Sequence, residues 1–159
     1  MRKRVGGGAA ATGAGRGAET DWLALGELAE VVVTSEDTSA PIEAALVPGA
    51  GTQWRAAEPG EQSIRLRFNE PCDVHDIQVV FDEPQHACVQ EFVLQWSSDG
   101  GHTFHPVVRQ QFSFSPAGAT QETEHSHVHL PGLTDLNLHI VPDVSGGPRV
   151  ATLTRLRIR

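Results

Sequence analysis

Three histidines, His125, His127 and His129, alternate with Ser126 and Val128 in the second half of the chain. Alternate residues of a β-strand project from the same face, so successive imidazoles would lie about 6 to 7 Å apart. Two neutral imidazoles at this spacing can chelate zinc, copper or iron. One hypothesis is therefore a metal site. The other interpretation is the polar outer face of a strand.

A second motif with potential chemistry covers residues 96 to 104, which read WSSDGGHTF. Its Ser-x-Asp-x-Gly-x-Thr-Phe spacing resembles the Asp-box of sialidase propellers. A propeller needs several blades of about 40 to 50 residues, and the spacing occurs once in this chain of 159 residues. Glycoside cleavage also requires a second carboxylate, and the sequence pairs none with Asp99. Asp99 is instead predicted to accept backbone N–H bonds in a hairpin turn, with Gly100 and Gly101 taking left-handed angles.

Length and charge limit the classes of protein that remain. A chain of 159 residues suits one domain with a core of its own. The net charge is -8, from 12 basic and 20 acidic residues, which disfavours nucleic acid and anionic membranes as partners. No apolar run approaches the roughly 18 residues of a membrane span. Cys72 and Cys88 are interpreted as reduced thiols, with a disulfide between them across a predicted strand as the alternative, and a cytoplasmic location is expected.

The amino-terminal residues differ in composition from the rest of the chain. Residues 1–19 are rich in Gly and Ala and lack the apolar stretch of a signal peptide, so a flexible tail is predicted there. The domain is predicted to cover residues 20–159. Its first segment, TDWLALGELAE, fits either a short helical turn or an extended lead-in packed through Trp22.

After residue 30 the apolar residues follow a period of two, which is typical of strands with one buried face. Seven such runs, together with AEVVVTS, predict about eight strands. The runs are SIRLRFN, DVHDIQVVFDE, QEFVLQW, FSFS, HSHVHL, DLNLHI and TRLRIR.

Turn signals separate these runs. They include Asn69–Pro71, Glu83–Pro84, Ser98–Gly101, Ser115–Gly118, Pro131–Gly132 and Ser145–Pro148. Short amphipathic strands with turns at this spacing and little helix predict an all-β fold, an antiparallel sandwich.

The order of these motifs resembles the discoidin, or coagulation-factor type C, family of the galactose-binding-like superfamily across residues 29 to 158. The resemblance is carried by the Pro41 to Leu46 stretch, Thr52 and Trp54, the Ile64-x-Leu66-x-Phe68 strand, the Trp96 to Phe104 hairpin and the final strand ending Leu156 to Ile158. It implies an eight-stranded jelly roll that binds carbohydrate through loops at one end without cleaving it. Where the family has a Leu-Asp-Gly turn that helps to bind calcium, this chain has Leu46-Val47-Pro48-Gly49. This turn has no acidic residue, and calcium prefers 6 to 8 oxygen ligands, so we expect no tight calcium site. No other cofactor is expected.

A carbohydrate site would need aromatic faces, planar donors and carboxylates on loops. The connection from Ser35 to Ser63 offers Glu36, Asp37, Trp54 and Arg55. For Trp54 the alternative is core packing, which the family resemblance favours. For Arg55 it is a surface ion pair with Glu58 or another acid.

Two further candidates, Arg109 and Gln111, share one face of the VVRQQFSFSP segment, opposite Gln110 and Phe112. A concave sheet face could present both to a glycan. The alternative is an ordinary solvated strand surface. His86, in the loop from Pro84 to Cys88, is a weaker candidate of the same kind.

Three functional hypotheses follow. The preferred one is a non-catalytic carbohydrate-binding module, without a bound metal, for which a homodimer would raise avidity. A cupin-like metal enzyme is the second, since His125-x-His127 on a jelly roll resembles the cupin motif. Cupins, however, have a Glu three or four residues further on, whereas this chain has no acidic residue at that spacing and continues through Pro131 and Gly132. A module that binds protein partners through the same loops is the third.

Overall fold

The computed structural model describes residues 2–5, 10–12 and 22–159. In these ranges the chain forms ten strands and two single-turn helices. The strands are β1 (Arg2–Val5), β2 (Ala10–Thr12), β3 (Ala29–Val33), β4 (Trp54–Pro59), β5 (Gln62–Asp82), β6 (Cys88–Ser97), β7 (His105–Phe114), β8 (Gln121–Val141), β9 (Val150–Leu153) and β10 (Arg155–Ile158). The helices are α1 (Leu25–Leu28) and α2 (Glu43–Leu46). Neither of these helices is long or apolar enough to cross a bilayer.

Strands β5 and β8, each of 21 residues, connect the two layers of the sandwich. They pair antiparallel, with register shifts in β5 between Arg67 and Asp76. Before the shifts β5 pairs with β3, and after them it pairs with β10. The larger hydrogen-bonded sheet, which includes both long strands, has the order β2-β1-β3-β5-β8-β6-β7, and β10 also pairs with β5. Strands β4 and β9 form a separate two-stranded sheet.

Two of the predicted turns lie inside these long strands. Asn69–Pro71 is within β5 and Pro131–Gly132 is within β8, so the turn prediction at both places is wrong. Pro71 has no N–H to donate to the ladder, and Gly132 has a φ of 65°. Both residues interrupt the regular pairing without ending the strands, since Cys72 is still paired with Leu133.

The core consists of the alternate residues that the period of two placed on one face. Residues of β5, β6, β8 and β10 that were predicted to point inward are buried: Ile64, Leu66, Ile77, Val79, Phe81, Phe92, Leu94, Leu136, Leu138, Ile140, Leu156 and Ile158. Trp96, Phe68, Phe112 and Val128 pack against this cluster but are only partly buried. The prediction of an all-β antiparallel sandwich is confirmed.

The Ser97–Phe104 turn is held by its own side chains. Asp99 Oδ1 accepts hydrogen bonds from the Ser97 hydroxyl at 2.6 Å and from the Thr103 N–H at 2.9 Å. Ser97 Oγ accepts the N–H of Gly101 at 3.0 Å. Gly100 and Gly101 have φ values of 76° and 87°. The structural role predicted for Asp99 is therefore confirmed.

The first strand lies within the segment that composition assigned to a flexible tail. Strand β1 pairs in parallel with β3, and Lys3 is buried between two carboxylates of the domain. Its Nζ lies 3.0 Å from Glu36 Oε2 and 2.7 Å from Glu43 Oε2. Composition did not indicate this strand, because its docking depends on acidic partners more than 30 residues away. Most of the predicted tail lies outside the described residues.

Candidate ligand-binding cleft

A polar cleft opens between β4, β9 and two connections at one end of the sandwich. Arg55 comes from β4 and Thr152 from β9, where the two residues are paired across the small sheet. The connection from β5 to β6 contributes Glu83, Gln85 and His86, and the connection from β8 to β9 contributes Pro148 and Arg149. The cleft encloses about 280 Å³, close to the lower end of the 300 to 1,000 Å³ typical of ligand pockets.

Glu83 organises one wall of this cleft. Its Oε1 lies 2.8 Å from Arg149 Nη2 and 2.8 Å from His86 Nδ1. Burial of Glu83 tends to raise the pKa of its carboxyl, but the hydrogen bonds with His86 and Arg149 outweigh burial and hold that pKa below its usual range. The carboxylate is thus ionised at neutral pH and holds both the Arg149 guanidinium and the His86 imidazole in place.

Arg55 forms the opposite wall. Its side chain makes no hydrogen bond or ion pair with any residue that the structure describes, so the predicted alternative of a pair with Glu58 is not formed. The backbone is fixed, because Arg55 donates its N–H to the Ala40 carbonyl at 3.0 Å and accepts the Asp37 N–H at 2.9 Å. The guanidinium is therefore exposed and available to a ligand, while its base is held in place.

Asp37 lies beside Arg55 but is occupied by its own turn. Its Oδ1 accepts hydrogen bonds from the Ser39 N–H at 2.9 Å and the Ser39 hydroxyl at 2.7 Å. These hydrogen bonds, with a smaller contribution from Arg55, hold the pKa of Asp37 below its usual range. Asp37 can therefore contribute charge near the cleft, with one oxygen already bonded.

Two predicted contact residues are structural. Trp54 is 0% exposed, so the prediction that it contacts a ligand is wrong and the core alternative is right. Glu36 is engaged by Lys3 and by the Ile42 N–H at 2.6 Å, and its role is to tie β1 and α2 to the domain. The pairing of Glu36 with Lys3 could not be predicted locally, because the two residues are 33 positions apart.

Arg109 and Gln111 lie on the β6–β7 surface, and neither lines the cleft. Both bind the carboxylate of Glu91, with Arg109 Nε at 2.9 Å and Gln111 Nε2 at 3.1 Å. These two hydrogen bonds lower the pKa of Glu91. The predicted shared face is present, but it forms a separate surface from the cleft of Arg55.

Sequence reasoning missed Glu83, Arg149 and Thr152 as members of the cleft. The available signals were the turns at Glu83–Pro84 and Ser145–Pro148, which place two connections at one end of a sandwich. Nothing local shows that these two connections meet. The structure brings them together through the ion pair between Glu83 and Arg149.

A second, smaller cavity lies at the Leu46-Val47-Pro48-Gly49 turn. It encloses about 70 Å³, which is too small for a sugar ring. Among the described residues that line it are Arg155 and Arg157, with no carboxylate. Cationic walls oppose calcium binding, because calcium requires several oxygen ligands of negative or partial negative charge.

The histidines lie on another surface, the outer face of the second half of β5 and the first half of β8. There Asp76 is paired with His127 and Gln78 with His125. His125 and His127 thus have a carboxylate neighbour. The cupin pattern did not indicate it, because Asp76 precedes the histidines by about 50 residues and reaches them across the sheet.

The sandwich is similar to solved carbohydrate-binding modules. A pectin-binding module shares 17% identity at a TM-score of 0.59, over 84% of this chain and 91% of the module. The CBM32-3 module from a family 31 glycoside hydrolase of Clostridium perfringens shares 17% identity at a TM-score of 0.61, over 86% of this chain and 93% of the module. CpGH89CBM32-5 from the same organism was solved with GalNAc-β-1,3-galactose. It shares 18% identity at a TM-score of 0.61, over 87% of this chain and 99% of the module.

No protein-family model matches the sequence, and no curated protein sequence matches it. The similarity to the solved modules extends over most of the chain, and at these sequence identities it shows the fold alone. The chain therefore has the galactose-binding-like β-sandwich fold of family 32 carbohydrate-binding modules.

Proposed function

We propose that this chain is a non-catalytic carbohydrate-binding module that holds a saccharide in the cleft of Arg55, Glu83, His86, Arg149 and Thr152. The observation that carries the proposal is that Arg55, whose guanidinium has no partner among the described residues, lines the same cleft as Glu83, which holds Arg149 and His86. Planar donors set opposite a fixed carboxylate can bind pairs of sugar hydroxyl groups from two sides.

The lining of the cleft supports binding without cleavage. Hydrolysis of a glycosidic bond normally requires two carboxyl groups on either side of the bond. Among the described residues that line the cleft, Glu83 is the only carboxylate, and it is engaged by Arg149 and His86. Reversible capture is therefore the activity that this arrangement favours.

The charge of the cleft favours an acidic saccharide over a neutral one. Two guanidinium groups face one carboxylate, and Arg55 has no partner among the described residues that would compete for a uronate carboxylate. Solved modules with this fold include a pectin-binding module and one bound to 4,5-unsaturated mannuronic acid, alongside one bound to galactose. Uronate oligosaccharides are therefore the ligand class we propose first, with neutral galactose-type glycans as the alternative.

Affinity for a single sugar is expected to be weak. No aromatic side chain other than His86 lines the cleft among the described residues, so ring stacking contributes little. The hydrogen bonds must also offset the ordering of Gln85 and His86, which are both exposed. We propose that homodimerisation raises the avidity for a polysaccharide that carries many copies of the same sugar. We also propose that the chain belongs to the discoidin family, which the order of its sequence motifs resembles.

The experiment is an NMR titration of backbone amides with galacturonate and galactose oligosaccharides, comparing Arg55→Ala with Arg109→Ala. Both arginines are exposed, but Arg109 lies on the β6–β7 surface. Shifts should cluster near Arg55 and Thr152. Arg55→Ala should weaken uronate binding about tenfold or more, because a hydrogen bond to a charged group contributes about 1.5–3 kcal/mol. Arg109→Ala should have no effect.

The opposite pattern would overturn the assignment of the cleft. If Arg109→Ala abolished binding while Arg55→Ala did not, the saccharide would bind on the sheet face. If no saccharide in the panel shifted any amide, the carbohydrate-binding function itself would be wrong. A preference for the neutral oligosaccharide would contradict only the proposed acidic ligand.

A further inference from the structure

The outer face of the second half of β5 and the first half of β8 places three metal-ligating side chains together. Asp76 on β5 is directly opposite His127 on β8, and His125 is two residues along the same strand. One ligand atom of each of these side chains lies within 4.8 Å of the others. The cluster is on a different surface from the proposed saccharide cleft and shares no residue with it.

Both imidazoles converge on the same carboxylate oxygen. Asp76 Oδ1 lies 2.6 Å from His127 Nδ1 and 3.2 Å from His125 Nε2. The two rings are also neighbours, with centroids 4.5 Å apart. Two imidazole nitrogens and one carboxylate oxygen form a donor set that zinc and other first-row transition metals accept.

These distances can be compared with those that a bound metal requires. Zinc bonds to nitrogen and oxygen are about 2.0–2.2 Å long, so two ligands of a tetrahedral ion are roughly 3.3–3.5 Å apart. The distance from His125 to Asp76 is already close to this value. His127 must withdraw by less than about 1 Å, and its side chain is 80% exposed and free to move.

Arg159 binds the second oxygen of the Asp76 carboxylate, so that Oδ1 is the oxygen next to the imidazoles. Arg159 Nε donates to Asp76 Oδ2 at 3.0 Å, and the backbone groups of the two residues are also hydrogen-bonded. The Arg159 guanidinium lies 4.5 Å from the centre of the Trp22 ring. A metal-ligating carboxylate with a hydrogen-bonded second oxygen is the usual arrangement in metal sites. The same arginine repels a cation, so the affinity will be moderate.

We propose that Asp76, His125 and His127 form a surface site for a divalent first-row transition metal, with Zn²⁺ as the matching probe, in which at least one coordination position stays open. Three protein ligands leave a fourth tetrahedral position to water or to an oxygen or nitrogen atom of another molecule. This goes beyond the proposed saccharide binding, and it departs from the expectation that the chain has no metal site.

The test is titration of the untagged protein with Zn²⁺ alone, followed by calorimetry and by competition with a coloured chelator. The full chain should bind one Zn²⁺. His127→Gln should weaken that binding about tenfold or more, and its high exposure makes a folding defect improbable as the cause. His129→Gln is the matched control, because His129 is also exposed and on β8 but contacts the ring of His75, with centroids 5.7 Å apart. It should bind Zn²⁺ like the unaltered chain.

A second measurement separates this site from other histidines. The imidazole NMR signals of His125 and His127 should shift with Zn²⁺ at lower concentrations than those of His129, His102 and His105. The proposal would be overturned if the unaltered chain bound no Zn²⁺, if His127→Gln bound it equally well, or if His129→Gln lost it to the same extent. Asp76→Asn should also weaken binding, with circular dichroism used to check that the loss of the Arg159 contact leaves the fold intact.

Discussion

Arg149 and Glu83 belong to different connections and are joined by a 2.8 Å ion pair between Nη2 and Oε1. The same oxygen of Glu83 is bound to His86. One carboxylate therefore sets the position of two of the donors in the cleft and holds the β5–β6 connection against the β8–β9 connection.

Replacing Glu83 with Gln should weaken saccharide binding and lower stability together. The side chain is only 16% exposed, so loss of the charge leaves Arg149 without its anion. We expect the free energy of unfolding to fall by about 1–3 kcal/mol, measured by urea denaturation. Glu58→Gln, a change of an exposed carboxylate on β4, is the control. Unchanged saccharide affinity in Glu83→Gln would show that this wall does not position the ligand.

Replacing Trp54 with Phe should change stability without changing binding. The indole is completely buried and its N–H has no hydrogen-bond partner among the described residues. A smaller ring leaves space in a packed core, so we expect a loss of about 1–3 kcal/mol in urea denaturation. Saccharide affinity, measured on the folded variant, should be unaltered. A fall in affinity would mean that Trp54 influences the cleft through the neighbouring Arg55.

The contribution of Asp99 to stability should depend on pH in a defined window. Hydrogen bonds from Ser97 and from the Thr103 N–H lower the pKa of Asp99 from 3.8 to about 2 in the folded state. Because the folded pKa is below the unfolded one, the carboxylate stabilises the fold fully above pH 4 and loses this effect as pH falls towards 2. The difference in unfolding free energy between the unaltered chain and Asp99→Asn should therefore shrink over that range. A constant difference would contradict the lowered pKa.

Two adjacent glycines of the same turn should respond differently to alanine. Both have positive φ, which costs an alanine about 1–2 kcal/mol. A Cβ at Gly100 would meet nothing within 4 Å, whereas one at Gly101 would lie 1.8 Å from Arg65 Nη2. Gly101→Ala must therefore displace Arg65 from its ion pair with Asp135, which is 2% exposed. Thermal or urea denaturation should show a larger loss for Gly101→Ala than for Gly100→Ala, and equal losses would contradict the contact.

The layers of the sandwich could be predicted from the sequence because burial imposes a period of two that is visible locally. Ile64 and Leu66, or Phe92 and Leu94, are assigned correctly by alternation alone. The continuity of β5 and β8 could not be predicted, since Pro71 and Gly132 have the composition of turns. Only their pairing partners show that the strands continue past them.

The cleft and the metal cluster were harder to predict, because both depend on residues that meet across the fold. Arg55 was identified by its residue type, although it lies on strand β4 and not on the predicted loop. Glu83 lies in a predicted turn and Arg149 directly follows another, but nothing local shows that these two residues meet. Asp76 likewise joins His127 only through the register of β5 and β8. Lys3 is a similar case, since its segment resembles a tail until its acidic partners are known.

The sharing of β5 and β8 between the layers also has a kinetic consequence. Their pairing joins residues from Gln62 with Ile140 to Asp82 with Gln121, so the chain must close loops of tens of residues before either layer is complete. Neither half of the protein can reach its native arrangement independently. Refolding after dilution from denaturant should therefore be a single slow, cooperative event on the millisecond-to-second scale of proteins dominated by distant strand pairing.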